Sequence, residues 1–487
     1  MSTIKYWATG LLGLTLCFTT SCKKWLTVQP RTQMPADMLF TTESGFQDAL
    51  TGVYIQMKAA SAYGQQMTFG TIENLTSSWD VTTNTTEQRL GLFNYADDGA
   101  QRALAAMYGQ EYKIIASINA ILAQVDEHRD VFSDEGAYAM MKGECLALRA
   151  YCHLDLLRLF GPVPGNIQSG TVLPYVKILS KAPNQQIPYE QYRTALLQDL
   201  QEAAALQKQV DPFTHYSIAD LSKPNNSSSN FRTENTYAAY RFLRMNYYAV
   251  KALQARAYLW FQDKTSAYAC AKEVITAKDA DGGAKFRLGT FADMSAGNLN
   301  LPVEQIFGLY DFQLGNKYQD QFLSGNLKKG SSATTVTSQL YGNTGTDIRE
   351  SSLWEMITLA SSSRCYILKK YKGSLSAVSG AIGPFQIPML RVSEMYLIAA
   401  ETAPAQEAQQ YWSDFRTARN ITVTTLSADP AQVQLELVKE YRKEFFAEGQ
   451  AFFAYKRINA PKASFLWAPS AATVNYLIPL PQTEFIQ

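Results

Sequence analysis

The chain has 487 residues, with 44 Lys plus Arg against 43 Asp plus Glu and a formal net charge of +1. A near-neutral chain without a basic run has no electrostatic footprint for nucleic acid, so that partner class is excluded. Charged residues make up 18% and aromatics 12%, a balance too apolar and too aromatic for a disordered chain.

Residues 1–21 have the layout of a targeting segment. Lys5 is their only charge, and Trp7 to Phe18 is apolar. That stretch is shorter than the roughly 20 residues a spanning helix needs, but it suits the core of a signal peptide. Thr19, Thr20 and Ser21 then lead to Cys22, which resembles a bacterial lipobox, although Thr19 stands where a Leu-type residue is usual. Residues 1–21 are expected to be removed and Cys22 to be lipidated. No later apolar run reaches the roughly 18 residues read as a spanning helix. The lipid would therefore be the only membrane anchor. Cys145 and Cys152 are seven apart in a helical pattern, which is about 10 Å of rise and too far for a disulfide. There is no CxxC, and His128, His153 and His215 are scattered, so neither a metal nor a cofactor is expected.

A polar, Pro-interrupted leader runs to about Phe40. Glu43 to Lys58 predicts a helix, with Phe46, Leu50, Val53, Tyr54 and Met57 on one stripe. Ser61 to Ala100 reads as loop. A long helix is predicted over about Gln101 to Glu127, with Tyr108, Tyr112, Ile115, Ile118, Leu122 and Val125 at helical spacing. Ser133 is expected to cap the next helix, which Gly161, Pro162 and Pro164 stop after Phe160. Another helix spans about Tyr189 to Lys208, followed by a polar break to Glu234. Tyr237 to Phe261 and Ser266 to Lys278 read as an antiparallel helix pair.

Asp279 to Pro388 lacks sustained helical period. Helices resume over Arg391 to Glu401, Pro404 to Arg419 and Pro430 to Glu448. The last has Asp429 as N-cap, Pro430 at N1 and Gly449 just past its end. Helices thus come in pairs, with small residues such as Ala252, Ala255 and Ala271 where neighbours approach. This is similar to tetratricopeptide packing without a clean repeat, in which loops on a rigid scaffold carry function.

Several segments together resemble the SusD/RagB family of outer-membrane nutrient-binding lipoproteins. They are CKKWLTVQP (22–30) with LFTTESGFQDALTGVY (39–54), YKIIASINAIL (112–122), MKGECLALRAYCHLDLLRLFGPVP (141–164), IPMLRVSEMYLIAAE (387–401), EYRKEFFAEGQAFFAYKR (440–457) and LIPLPQTEF (477–485). The resemblance implies a mostly α, tetratricopeptide-like scaffold with long loops. Residues 22–235 would form an N-terminal region and 236–487 a C-terminal region of one compact unit. It also implies capture of a glycan or peptide and delivery to a SusC-like TonB-dependent transporter in the outer membrane. The alternative class is a tetratricopeptide-type envelope scaffold that binds only protein. One motif departs from the family: Ala451 and Ala454 stand where Arg and Asp are usual. Losing both members of a pair strands neither, so this reads as structural drift.

No GxSxG, HExxH, Walker A or GxGxxG motif supports an enzyme. Glu144, Arg149 and Arg158 are expected to be structural, tying helix ends and carbonyls around the Gly-Pro-x-Pro turn. Asn119 reads as a hydrogen-bonded core residue. Glu440, Glu444 and Glu448, with Lys439, Arg442 and Lys443 alongside, read as a solvated or salt-bridged face. Candidate ligand residues lie on two loops that the resemblance marks as the binding platform. Trp79, Asp80 and Asn84 are on the first. Tyr310, Asp311, Phe312, Tyr318, Tyr341 and Trp354 are on the second. Aromatic faces stack on sugar rings or peptide groups, while amides and carboxylates bond hydroxyls. Trp79 is the leading candidate, because SSWDVTTNT is too polar to need a core Trp.

Overall fold

The computed structural model describes residues 36–167, 170–180, 182–332, 334–373 and 385–484. The targeting segment and Cys22 lie outside the described residues. The main helices are α1 (Glu43–Met57), α2 (Asp98–Val125), α3 (Glu135–Phe160), α4 (Tyr189–Gln207), α5 (Tyr247–Trp260), α6 (Lys264–Ile275), α7 (Val392–Thr402), α8 (Ala405–Ala418), α9 (Pro430–Glu444) and α10 (Ala451–Arg457). Each helix from α1 to α7 packs on the next, and α9 packs on α7 and α10. The mostly helical fold follows the sequence expectation. The scaffold also survives the long insertion between α6 and α7, since those two helices pack directly against each other. Stacked helix pairs of this kind bury a continuous core that no single pair could bury alone.

Helix limits follow local chemistry. Thr42 caps α1 by accepting from Gly45 N, Asp97 caps α2 from Ala100 N, and Asp429 caps α9 from Ala431 N. Ser133 is not the cap of α3. Asp134 takes that place and accepts from Ala137 N, while the Ser133 N–H donates to Glu43. Residues before Tyr247 are not helical as expected but form tight turns at Thr236–Ala238 and Arg241–Leu243. Asn246 caps α5 there, and its amide also donates to Ile306 O at 2.9 Å. The segment after Ser61 is not an open loop. It holds short helices at Thr71–Asn74 and Thr86–Gly91, and residues 67–76 are buried.

Helix α3 is central. Every residue from Gly143 to Phe160 is buried, so it shows little amphipathic period because it has no solvent face. Its buried charged residues are satisfied by partners on other elements or within the helix itself, not chiefly by the turn that follows. Arg149 makes a bidentate pair with Asp199 at 2.7 and 2.8 Å and donates to Asn119 Oδ1 at 2.9 Å. Asn119 in turn donates to Val176 O, as a hydrogen-bonded core residue should. Glu144 accepts from Arg241, Arg244 and Tyr54. Arg158 pairs with Asp155 and donates to Gln450 at 3.1 Å. His153 is buried, stacked on Tyr175, and accepts from Val176 N. Burial holds it neutral, down to about 3. Cys145, Cys152, Cys270 and Cys365 are free and buried.

Helix α9 ends at Glu444, earlier than its sequence pattern suggests. Gly449 has φ +72°, and a Cβ there would meet Met67 O at 2.1 Å, so only glycine fits the turn. Glu73 fastens this turn by accepting from Ala447 N and Gly449 N at 3.1 and 3.2 Å. The Glu440, Glu444 and Glu448 ladder is buried and not solvated. Glu444 meets Arg349, Arg391 and Arg419, Glu440 meets Arg349, and Glu448 meets Lys370 and Arg391. Only Lys443, of the neighbouring basic residues singled out, pairs with the ladder, through Glu440. Ala451 and Ala454 are both buried.

The stretch between α6 and α7 contributes four strands. They are two-stranded ribbons: β3 (Gln305–Tyr310) pairs antiparallel with β6 (Gln386–Arg391), and β4 (Trp354–Thr358) with β5 (Arg364–Leu368). A short pair, β1 (Thr171–Leu173) and β2 (Ile187–Pro188), precedes α4. Strand β6 runs straight into α7, so the scaffold fixes the ribbon that holds β3.

Candidate functional site

Strand β3 is buried along its length except at its last residue, Tyr310. The ladder continues one step beyond it, with Asp311 N donating to Phe385 O at 2.8 Å. The chain then turns, leaving Tyr310 49% and Phe312 66% exposed. These two rings project from a turn that is pinned at several points. Buried Asp311 accepts from Gln313 N at 3.1 Å and pairs with Lys317 at 2.7 Å. Lys317 also donates to Gly64 O at 3.2 Å. Lys58, just past the end of α1, donates to Tyr310 O at 2.9 Å. Gln65 donates to Gln321 at 3.2 Å. The backbone that carries the two rings is thus held in place by the scaffold, which lowers the ordering cost of stacking a ligand on them. Lys58 and Lys317 were not legible as site residues, because an isolated Lys near a helix end carries no pattern.

Trp79 is a correction. It is 2% exposed and offers no face to a ligand. Its indole N–H donates to Phe69 O at 2.8 Å. Its ring meets Phe322 and Phe446 edge-on, at 5.7 and 5.2 Å. The local sequence is polar, but the apolar partners come from distant segments. Tyr318, Tyr341 and Trp354 are buried in the same way. Tyr318 stacks on Phe322, and Trp354 meets Phe446 at 5.0 Å while donating to Tyr341 at 3.2 Å. These aromatics pin their loops to the scaffold.

Asp80 is exposed, yet its carboxylate is engaged. It accepts from Gly330 N and pairs with Lys329 at 3.0 Å, while its own N–H donates to Lys328 O. It therefore clips the first loop to the second. Asn84 is exposed with φ +63°, and its contacts are local: its N–H donates to Gln88 at 2.7 Å and its side chain accepts from Arg89 at 3.3 Å. The two loops do meet, through Asp80 and through the Trp79–Phe322 contact. Of the aromatic candidates, Tyr310 and Phe312 face outward. The exposed rings of this turn offer stacking faces, with polar groups beside them for hydrogen bonding.

Comparison with known proteins gives two family matches. A model described as "Starch-binding associating with outer membrane" matches residues 24–259, and the SusD family model matches residues 208–486. The fold is shared with a SusD superfamily protein from Bacteroides thetaiotaomicron VPI-5482, at 20% identity and a TM-score of 0.66, covering 91% of this chain and 97% of that one. A putative sugar binding protein from Bacteroides vulgatus ATCC 8482 aligns at 20% identity and a TM-score of 0.65, covering 91% and 96%. A laminarin binding SusD-like protein aligns at 16% identity and a TM-score of 0.61, covering 91% and 97%. SusD-like protein P2 of Formosa agariphila is 26% identical over 189 residues, 38% of this chain and 35% of that protein, so the match spans about a third of the curated relative. With more than half of its length matched by the SusD family model, and with the helix-pair scaffold those neighbours share, the chain belongs to the SusD family.

Proposed function

We propose that the chain is a lipid-anchored surface protein that captures a glycan on the Tyr310–Phe312 turn and delivers it to a SusC-like TonB-dependent transporter of the outer membrane. The observation that carries this reading is the pair of exposed rings on a turn fastened by Asp311, Lys317 and Lys58. Stacking on a sugar ring needs a fixed aromatic face and no catalytic group. The family description of starch binding and outer-membrane association supports the ligand class and the location, as does the laminarin binding neighbour. Among the described residues no helix is long and apolar enough to cross a membrane. The anchor is assigned to Cys22.

Calorimetric titration of the full mature chain with laminarin and starch oligosaccharides tests the capture step. Binding that weakens in Phe312→Ala and Tyr310→Ala supports it, and binding indifferent to both removes the platform. A mild-detergent pull-down should recover a barrel transporter, and recovery of the lipoprotein alone would count against delivery. Cys22→Ala should release the chain from the membrane fraction.

A further inference from the structure

A cavity that shares no residue with the Tyr310–Phe312 turn lies where the ends of several helices converge. It has a volume of about 390 Å³, within the range of small-molecule sites. Its mouth is lined by Asn166 after the Gly-Pro-x-Pro turn, Gln262 after α5 and Asn459 after α10. These side chains are exposed and make no side-chain hydrogen bond with any described residue. Deeper in stand Glu401 and Arg457, joined by a bidentate pair at 2.8 and 2.6 Å. Gln434 donates to the same carboxylate at 2.9 Å. Val163, Leu259 and Ile458 supply an aliphatic wall.

The chemistry of this lining is selective. Carboxamides both donate and accept, which matches hydroxyl groups that do the same. Glu401 neutralises Arg457, yet the bidentate pair leaves further guanidinium N–H donors for a ligand. A neutral molecule with many hydroxyls and one apolar C–H face satisfies all of these groups together. A multiply charged anion would face only one further cation among the lining residues, Lys264, together with the Glu401 carboxylate. We infer that this cavity is a second binding site, for one or two neutral sugar units. The inference shares with the proposed function only the ligand class, since the two sites have no residue in common.

The test is saturation-transfer NMR of the full mature chain with glucose, galactose, mannose and xylose, each at about 50 mM, above the roughly millimolar Kd that a few hydrogen bonds give. Two variants address the cavity. In Gly165→Trp a bulky ring fills the mouth, and a Cβ at Gly165 would meet only Gln262 Nε2, at an ordinary 3.7 Å. Asn166→Ala removes one exposed carboxamide and should not move the melting temperature. In a Tyr310→Ala/Phe312→Ala background, which silences the platform, at least one sugar should still bind, Gly165→Trp should abolish that binding, and Asn166→Ala should weaken it by about fivefold, as expected for one lost hydrogen bond. If no sugar binds, or binding survives Gly165→Trp, the cavity is not a sugar site. Loss in Phe312→Ala without loss in the cavity variants would support the platform and overturn this second site. The reverse pattern would support the cavity and count against the platform.

Discussion

Trp79 and Phe446 meet edge-on with ring centroids 5.2 Å apart, one from the loop after Thr71–Asn74 and the other from the turn after α9. The contact joins segments far apart in the chain and closes one wall of an aromatic cluster that includes Phe322 and Trp354. Trp79→Ala would open a cavity there and leave the Phe69 carbonyl without its indole donor. Large-to-small changes at buried aromatics cost about 3–5 kcal/mol. The variant should melt several degrees lower, while any glycan affinity of the folded protein stays near the wild-type value. Thermal melts beside calorimetric titration check both halves. Unchanged melting with lost binding would return Trp79 to the ligand surface.

The opposite pattern is expected at Phe312. Its ring is exposed, so truncation leaves no internal void and the melting temperature should hardly move. An aromatic stacking contact is worth about 0.5–1.5 kcal/mol beyond burial, so Phe312→Ala should weaken glycan binding by up to roughly tenfold. Lys317→Met should give a smaller loss, because it frees the turn from Asp311 and Gly64 without removing a ring. Equal affinities for wild type and both variants would place the ligand elsewhere.

The helical scaffold was legible because its stripes are local. Phe46, Leu50, Val53 and Met57 recur at helical spacing and are all fully buried on α1. The Asp429–Pro430 start of α9 was legible for the same reason. Tyr310 and Phe312 were readable as loop aromatics, and they are the two that stay exposed. Trp79 was misread because its burial is decided by Phe322 and Phe446, which no local window contains. The acidic ladder, expected to be a solvated or salt-bridged face, is salt-bridged, but it is buried and its main partners come from distant segments. Its i+4 spacing looks like a solvated stripe until Arg349, Arg391 and Arg419 arrive from three other segments. Tertiary pairing of this kind has no periodic signature.

That ladder makes a stability prediction. Glu444 accepts from Arg419 at 2.7 and 2.8 Å, from Arg391 at 2.8 Å and from Arg349 at 3.1 Å. Burial opposes its charge, but the three guanidinium groups overcome that and hold its carboxyl well below the usual range. Glu444→Ala would leave buried cations short of a partner, which costs about 3–5 kcal/mol. Glu135→Ala, which breaks the exposed pair with Arg129, should be close to neutral. Denaturant unfolding of the two variants compares them directly. Similar midpoints would mean the buried cluster contributes no more than a surface pair.

Glu111 makes the pH prediction. It is buried on α2, accepts from Tyr63 at 3.1 Å, and lies beside Asp155, which pairs with Arg158. Burial, with the neighbouring Asp155 charge second, pushes its carboxyl up to about 8 from 4.5. The folded chain therefore keeps a proton on Glu111 that the unfolded chain gives up near the ordinary value. Its contribution is full below about pH 4.5 and is lost as pH rises through about 8, a change on the order of a few kcal/mol. Glu73, raised to about 7 by burial, acts in the same direction over a narrower window. Lys456, lowered by burial to about 7, acts in the opposite direction and only above that pH. Glu111→Gln keeps the neutral shape and removes the titration. Its melting temperature should therefore fall less between pH 5 and pH 8 than that of the wild type, the difference growing toward the upper end. Parallel melting curves for the two proteins across that interval would show that Glu111 is ionised in the folded chain.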